Sequence, residues 1–431
     1  MRHGHTGFAY EGTGTGSPIR SLLDIDFYKF TMGQFIHDLY RDIGTTFELI
    51  NRDADIPLAE IIGEKRLRDA LDSARKLRVT DGELDSLRNM RTYGENLFSE
   101  PYLSFLKRLS LPPYELRREG DQYRLSFSGP WAAVSLWETV ALAIVSELYY
   151  EALERCMTQK ERNAAYALAE ERLEQKLALL AASPDIRFAD FGHRRRHGRA
   201  WHEWVVKRCA ESLPDQFLGT SDTLLAIRYG VNPIGTNAHE LPMVLATLAE
   251  TDQEKRDAQY AVLEGWQRRY GKAFRIFLPD TFGTGQFLEG APRTLAHEWD
   301  GFRQDSGDPM RAVGLYVSWL RSHGVDPKEK LVIFSDGLDI PDMRRLERAC
   351  QGNIRCAFGW GTLLTNDFRG CGGDGRLYRP FSLVCKAVSA NGRPVIKLSD
   401  NVGKATGPAS EVKRYLDIFG RPRQDDLRVI V

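Results

Sequence analysis

Apolar and polar positions recur along this chain with two different spacings, and the change between them divides it. Between residues 26 and 40, Phe27, Phe30, Met32, Phe35, Ile36 and Leu39 fall at helical spacing, which predicts a helix with Asp24 or Asp26 near its N-terminus. Residues 57–110 read as several polar amphipathic helices. Residues 123–127 alternate as a strand that stops at Gly129-Pro130. The stretch 131–182 predicts helix, apolar at first and charged from 160 to 180. After Pro184 the pattern shortens. Apolar runs now end in Gly, Ser, Thr, Asp, His or Arg: IRFADFG (186–192), FLGTSD (217–222), PIGTNAHE (233–240), RIFLPDTFGTG (275–285), GFRQDSGD (301–308), LVIFSDGLD (331–339) and CAFGWGTLLTND (356–367). Helix-compatible stretches such as 245–270, 310–323 and 340–351 separate them. That is a βα repeat, and it fits an α/β barrel or a doubly wound sheet. In a barrel, every strand end opens into one mouth, where active sites sit. Beyond Gly372, SLVCKAVSANGRPVIKLS (382–399) reads as two strands around Asn391-Gly392, a strong hairpin signal.

These elements predict a flexible tail over 1–20, rich in Gly, Ser and Thr, and an N-terminal α+β domain over 21–150. An α/β-barrel domain follows over 151–371. A C-terminal segment over 372–431 should pack on the N-terminal domain and finish as a helix or strand. Composition narrows the class. The 431 residues carry 59 Lys plus Arg against 59 Asp plus Glu, which argues against a dedicated binder of nucleic acid or anionic membrane. Residues 131–150 are the most apolar, but Glu138 and Glu147 interrupt them, so a core helix is expected rather than a membrane span. The first residues lack the apolar core of an export signal. Six scattered cysteines have no metal-binding spacing and fit free thiols in a reducing cytoplasm.

Four segments carry candidate chemistry. Residues 187–208 hold seven Lys/Arg and two acidic residues, a local net charge of +5. Arg194, Arg195, Arg196 and Arg199 suit phosphate or carboxylate, or else form a solvated helix face. His193 and His197 have ligand-like spacing, but the arginines between them would repel a metal ion. His239, at the end of Gly235-Thr236-Asn237-Ala238-His239-Glu240, is a candidate base or nucleophile, or a structural histidine. Arg303 and Asp305 lie two apart on an extended run and share one face, as substrate contacts or as a structural ion pair. Gly359 and Gly361 let backbone N–H groups approach an anion, or make an ordinary turn. No Walker A motif is present, since Gly271-Lys272 and Gly403-Lys404 lack its spacing. Together the acidic ends at Asp305, Asp308 and Asp336 and the basic block describe a mouth suited to a phosphorylated sugar.

The ordered blocks DIDFYKFTM (24–32), FGHRRR (191–196), GTSDTLLA (219–226), PIGTNAHE (233–240), LPDTFGT (278–284), RQDSGDP (303–309), FSDGLD (334–339), FGWGTLLTND (358–367) and KLSDNVGK (397–404) resemble those of nicotinate phosphoribosyltransferase. That family belongs to the type II phosphoribosyltransferases of NAD salvage. The resemblance implies an irregular (β/α) barrel with a flanking α+β domain formed by the N-terminal and C-terminal segments. It implies conversion of nicotinate and 5-phosphoribosyl 1-diphosphate to nicotinate mononucleotide and diphosphate. Mg²⁺ would assist, ATP would be a coupled co-substrate, and no tightly bound prosthetic group or protein-held metal is implied. His239 would be the phosphorylated residue, with Glu240 orienting it. Arg303 and Asp305 complete the implied catalytic set.

The resemblance also implies substrate contacts. Tyr28 would stack on the pyridine ring from the neighbouring subunit of a homodimer with shared active sites, opposite Phe191. Arg194 would bind the base or the diphosphate. Asp336 with Gly337 would hold the ribose hydroxyls, and Gly359, Gly361 and Thr362 the 5′-phosphate. Asp26 and Asp280 would support the region. Thr220 and Ser221 would sit beside the base. Nicotinamide-specific relatives carry Asp at position 221, so Ser221 favours the acid. His193, His197 and the Leu241-Pro242 pair depart from the family pattern. The competing readings are nicotinamide phosphoribosyltransferase, a metal-dependent barrel hydrolase using His193, His197, His239 and Asp residues, and a catalytically silent metabolite binder.

Overall fold

A computed structural model describes Phe8 and residues 16–372, 378–401 and 405–420. Most of the expected N-terminal tail, the Val402-Gly403-Lys404 end of the KLSDNVGK block and the last eleven residues lie outside the described residues.

Two sheets organise the chain. The N-terminal part supplies β1 (Gly44–Asn51), β2 (Tyr114–Glu119) and β3 (Gln122–Pro130). The middle supplies β4 (Phe188–Asp190), β5 (Phe217–Thr220), β6 (Ile276–Phe277), β7 (Gly301–Gln304), β8 (Leu331–Phe334) and β9 (Arg355–Trp360). The chain then returns with β10 (Leu383–Ala390) and β11 (Arg393–Pro394). The first sheet is antiparallel, in the order β11-β10-β1-β3-β2, so the returning hairpin completes a sheet begun at residue 44. Asn391 and Gly392 both take positive φ, as a two-residue turn matched to strand twist requires. The C-terminal helix Ala409–Phe419 goes elsewhere. Its Phe419 ring stacks on Phe282 at 4.1 Å, and Arg256 Nε donates to Ile418 O. The C-terminal segment is therefore split: its hairpin joins the N-terminal sheet, and its helix packs on the barrel side.

The second sheet is parallel, in the order β5-β4-β9-β8-β7-β6. Its sequence-first strand pairs with its last, β4 with β9, while the others follow chain order. That is the neighbour order of a ring opened between β5 and β6. Of the seven expected strands, the one at 233–240 does not form. Pro233 makes a single bridge to Thr220, because proline brings no N–H to extend the ladder.

Local signals set the helices. Thr80/Glu83, Thr158/Glu161 and Thr251/Glu254 each form a reciprocal capping box, starting Asp81–Arg88, Gln159–Ala181 and Asp252–Tyr270. Asp222, Asp308 and Asp339 cap the helices that leave β5, β7 and β8. Asp308 is thus a helix cap rather than part of an acidic mouth. The stretch 131–155 is long and apolar enough to cross a membrane, but 89% of its most apolar window is buried inside the protein, as a core helix requires. The boundary expected after residue 150 falls within the helix Trp137–Arg155. The helix Tyr28–Leu39 buries ten of its twelve residues, including Lys29 and Gln34, so it is enclosed rather than amphipathic.

Candidate active site

A cavity opens between the mouth of the parallel sheet and the face of the antiparallel one. β4 delivers its first wall. Asp190, fully buried at the strand end, accepts from Gly192 N, Thr220 Oγ1 (2.6 Å) and His202 Nε2 (2.7 Å) and so fixes the loop that follows. Phe191 then enters the cavity. Its ring lies over Gly359, where a Cβ would stand 2.3 Å from a ring carbon, so any side chain there would displace the ring.

The three consecutive arginines diverge. Arg196 is buried and paired with Asp24 at 2.6 Å, a structural role. Arg194 lines the cavity, with Nε 3.0 Å from Asp26, Nη1 3.2 Å from Glu138, and its guanidinium 5.5 Å from the centre of the Tyr28 ring. Arg195 also lines the cavity, and its Nη1 is buried without a hydrogen-bond partner. Burial, then the neighbouring Arg194, draws its pKa down to about 10, so it remains a cation at neutral pH.

His239 ends the loop before the helix Glu240–Leu248. Its Nδ1 meets Thr281 Oγ1 at 2.9 Å, its Nε2 meets Asp305 Oδ2 at 3.1 Å, and Asp280 Oδ1 lies 3.6 Å from Nε2. Burial, then Lys397, pulls the imidazole below its ordinary pKa and outweighs both carboxylates. A neutral ring here donates from Nε2 to Asp305 and accepts at Nδ1 from Thr281. Burial works against Asp305, yet Arg303, His239 and Lys397 hold it well below the usual carboxylate range. Ser335 Oγ donates to its second oxygen at 2.8 Å, and Arg303 Nε lies 3.6 Å away.

The cavity therefore gathers Tyr28, Phe191, Arg194, His239 and Glu240 with Arg303 and Asp305, and also Asp336, Gly337, Gly359, Gly361 and Thr362. Two expectations change. Thr220 and Ser221 do not line it: both are buried, with Thr220 bonded to Asp190 and Ser221 Oγ donating to Asp26 at 2.5 Å. Glu240 does not orient the His239 ring, because its oxygens accept from Trp131 Nε1 and Lys29 Nζ, each at 2.6 Å. Tyr28 lines the cavity of its own chain.

The histidines of the hydrolase reading are also dispersed. His193 meets Asp222 at 2.8 Å. His197 lies between Glu154 and Asn366, stacked on Phe368 at 3.6 Å. His193, His202 and Asp222 do cluster, but Arg196 Nη1 stands 3.4 Å from His193 Nδ1 and opposes a cation there.

Sequence reasoning missed Arg52, Lys386 and Glu138 on the wall and Lys29 behind it. Lys29 lies within a quoted block, next to Tyr28. Arg52 and Lys386 follow no motif, since only the pairing of β1 with β10 brings them to the cavity.

Residues 186–423 match the profile described as the "Nicotinate phosphoribosyltransferase (NAPRTase) family", and residues 23–146 that of its "N-terminal domain". Among solved structures, the nicotinate phosphoribosyltransferase of Vibrio cholerae is similar over 95% of each chain, at 30% identity and a TM-score of 0.83. That of Porphyromonas gingivalis is similar over 93% of this chain and 100% of its own, at 27% identity and a TM-score of 0.82.

Proposed function

This chain belongs to the nicotinate phosphoribosyltransferase family, and from that premise we propose that it joins nicotinate to 5-phosphoribosyl 1-diphosphate, releasing diphosphate, with ATP use coupled through phosphorylation of His239. The observation that carries the reading is the pairing of a neutral, doubly held His239 with a cation-rich, aromatic cavity.

The residues divide the work. Tyr28 and Phe191 offer ring faces to the pyridine. Arg194, Arg195 and Arg52 attract an anionic base, while a neutral amide would gain less from them. The acid preference thus rests on cavity charge and no longer on Ser221. Asp336 suits the ribose hydroxyls, and the backbone at Gly359 and Gly361 a phosphate. Breaking the C1–diphosphate bond builds positive charge on the ribose, which the ionised Asp305 stabilises, and negative charge on the leaving group, which Arg303 receives. The ring nitrogen of nicotinate attacks without needing a base. Imidazole is one of few side chains that can carry a labile phosphoryl group, and the helix start at Glu240 places N–H dipoles beside it.

Mg²⁺ fits this donor set. Asp280 Oδ1 is buried without a hydrogen-bond partner, and ligand atoms of His239, Asp280 and Asp305 lie within 4.8 Å of one another. Asp280 and Asp305 would hold the ion, which supplies charge neutralisation of the diphosphate.

The test is incubation of the purified protein with nicotinate or nicotinamide, 5-phosphoribosyl 1-diphosphate and Mg²⁺, with and without ATP, followed by separation of nucleotides. Nicotinate mononucleotide should form, faster with ATP, and phosphate should be released alongside it. A preference for nicotinamide, or an equal rate without ATP, would refute the corresponding half of the reading.

A further inference from the structure

Lys29 is fully buried in the first turn of the helix Tyr28–Leu39, directly after the tyrosine that lines the cavity. Its ammonium lies 2.5 Å from Glu138 Oε2, 2.6 Å from Glu240 Oε2 and 3.0 Å from Ser135 Oγ. Each carboxylate has a second partner. Trp131 Nε1 donates to Glu240 Oε1 at 2.6 Å, and Arg194 Nη1 donates to Glu138 Oε1 at 3.2 Å. Arg194 in turn faces the Tyr28 ring. Contacts therefore run without a break from the Tyr28 ring through Arg194, Glu138 and Lys29 to Glu240, the residue after His239. The rings of Tyr28 and Phe47 flank the ammonium at 5.3 and 5.6 Å.

Net stabilisation alone is a poor reason for this arrangement. Buried ion pairs are weak stabilisers, because dehydrating the charges offsets their attraction. What one cation shared by two carboxylates does achieve is a fixed distance between them. Both carboxylates line the cavity: one holds the arginine beside the pyridine face, and the other opens the helix that follows His239.

We propose that Lys29 is a positioning residue that links nicotinate binding to phosphorylation of His239. The proposal rests on the reading of His239 as the phosphoryl carrier. When Arg194 turns toward a bound carboxylate, its hold on Glu138 weakens and Glu138 takes a larger share of the ammonium. Glu240 is then held less tightly at the start of its helix. By linkage the effect runs equally in the other direction.

Two readouts on the full-length protein test it: nicotinate KM without ATP, and acid-labile phosphate on His239 after γ-labelled ATP. Glu240→Gln, at the phosphoryl end, should lower nicotinate KM by freeing Lys29 for Glu138 and so Arg194 for the carboxylate, and Glu138→Gln, at the ring end, should lower labelling, each by about 3- to 10-fold. Both cross-effects should vanish in a Lys29→Met background. Their persistence there, or their absence from folded single variants, overturns the proposal. If Lys29→Met does not fold, the single variants still decide, since a merely structural lysine gives no cross-effect. No label on the wild-type protein would overturn the phosphohistidine reading alone, and the effect of Glu240→Gln on nicotinate KM would then still test the link.

Discussion

At the scale of the residue, the environment of each histidine separates a chemical role from a structural one. His239→Ala should abolish acid-labile labelling and ATP hydrolysis while slow phosphoribosyl transfer persists. ATP use equal to wild type would remove His239 from the reaction. Because the pKa of His239 is lowered, the ring should stay neutral as pH falls through the ordinary imidazole range. Labelling should therefore persist below about pH 6.5, and a loss centred at or above that value would contradict the assignment. His193 behaves differently in its consequence for stability. Burial, then Arg196, depresses its pKa to about 4, so the unfolded state binds a proton that the folded state refuses. Its contribution is present above about pH 6.5 and is lost as pH falls toward 4, a change of about 3 kcal/mol. Chemical denaturation across that window should show the loss, and His193→Gln should flatten it.

His239, Arg303, Asp305 and Asp336 could be picked from the sequence because each ends a recognisable run. Ser221 misled for a local reason. Strand residues alternate faces, and a shift of one position turns a wall residue into a buried one. Here Ser221 turns inward to Asp26. Glu240 misled because adjacency in sequence is not contact, and its carboxylate points to Lys29 and Trp131.

At the scale of the element, close backbone approach sets the tightest limits. A Cβ on Gly301 would stand 1.9 Å from Leu331 O, inside the β7–β8 pairing. Gly301→Ala should cost about 3 kcal/mol or abolish folding, as read from urea unfolding; an unchanged midpoint would show that the strands tolerate separation. Gly359→Ala should act differently. Its Cβ meets the Phe191 ring, which can move, so the expected change is a raised nicotinate KM with a smaller loss of stability. The helices with capping boxes and the Asn391-Gly392 turn were legible because short-range chemistry decides them. The expected strand at 233–240 was not, because it depended on a partner ladder that Pro233 cannot extend.

At the scale of the whole molecule, charge that cancels in the sum is separated in space. Arg52 and Lys386 face the cavity from the antiparallel sheet, and Arg194, Arg195 and Arg303 from the barrel mouth. A polyanion seated between them should hold the two sheets together. 5-Phosphoribosyl 1-diphosphate with Mg²⁺ at about 100 times its Kd should stabilise the fold by about 2.7 kcal/mol, measured as a rise in Tm. Arg52→Ala should reduce that rise, and an undiminished shift would place the anion elsewhere. This wall was invisible in the sequence because β1 and β10, which carry it, lie at opposite ends of the chain.

That same pairing has a consequence for synthesis. Thr45 of β1 aligns with Ala390 of β10, so the two residues leave the ribosome 345 positions apart. At about 5–20 residues per second, roughly 17 to 70 seconds separate them. Throughout that interval one edge of β1 has no partner strand, and an unpaired edge recruits strands from other chains. A nascent chain released before Leu383 should accordingly aggregate unless a chaperone covers that edge, and its recovery as a soluble monomer would show that the first sheet closes without its last strands.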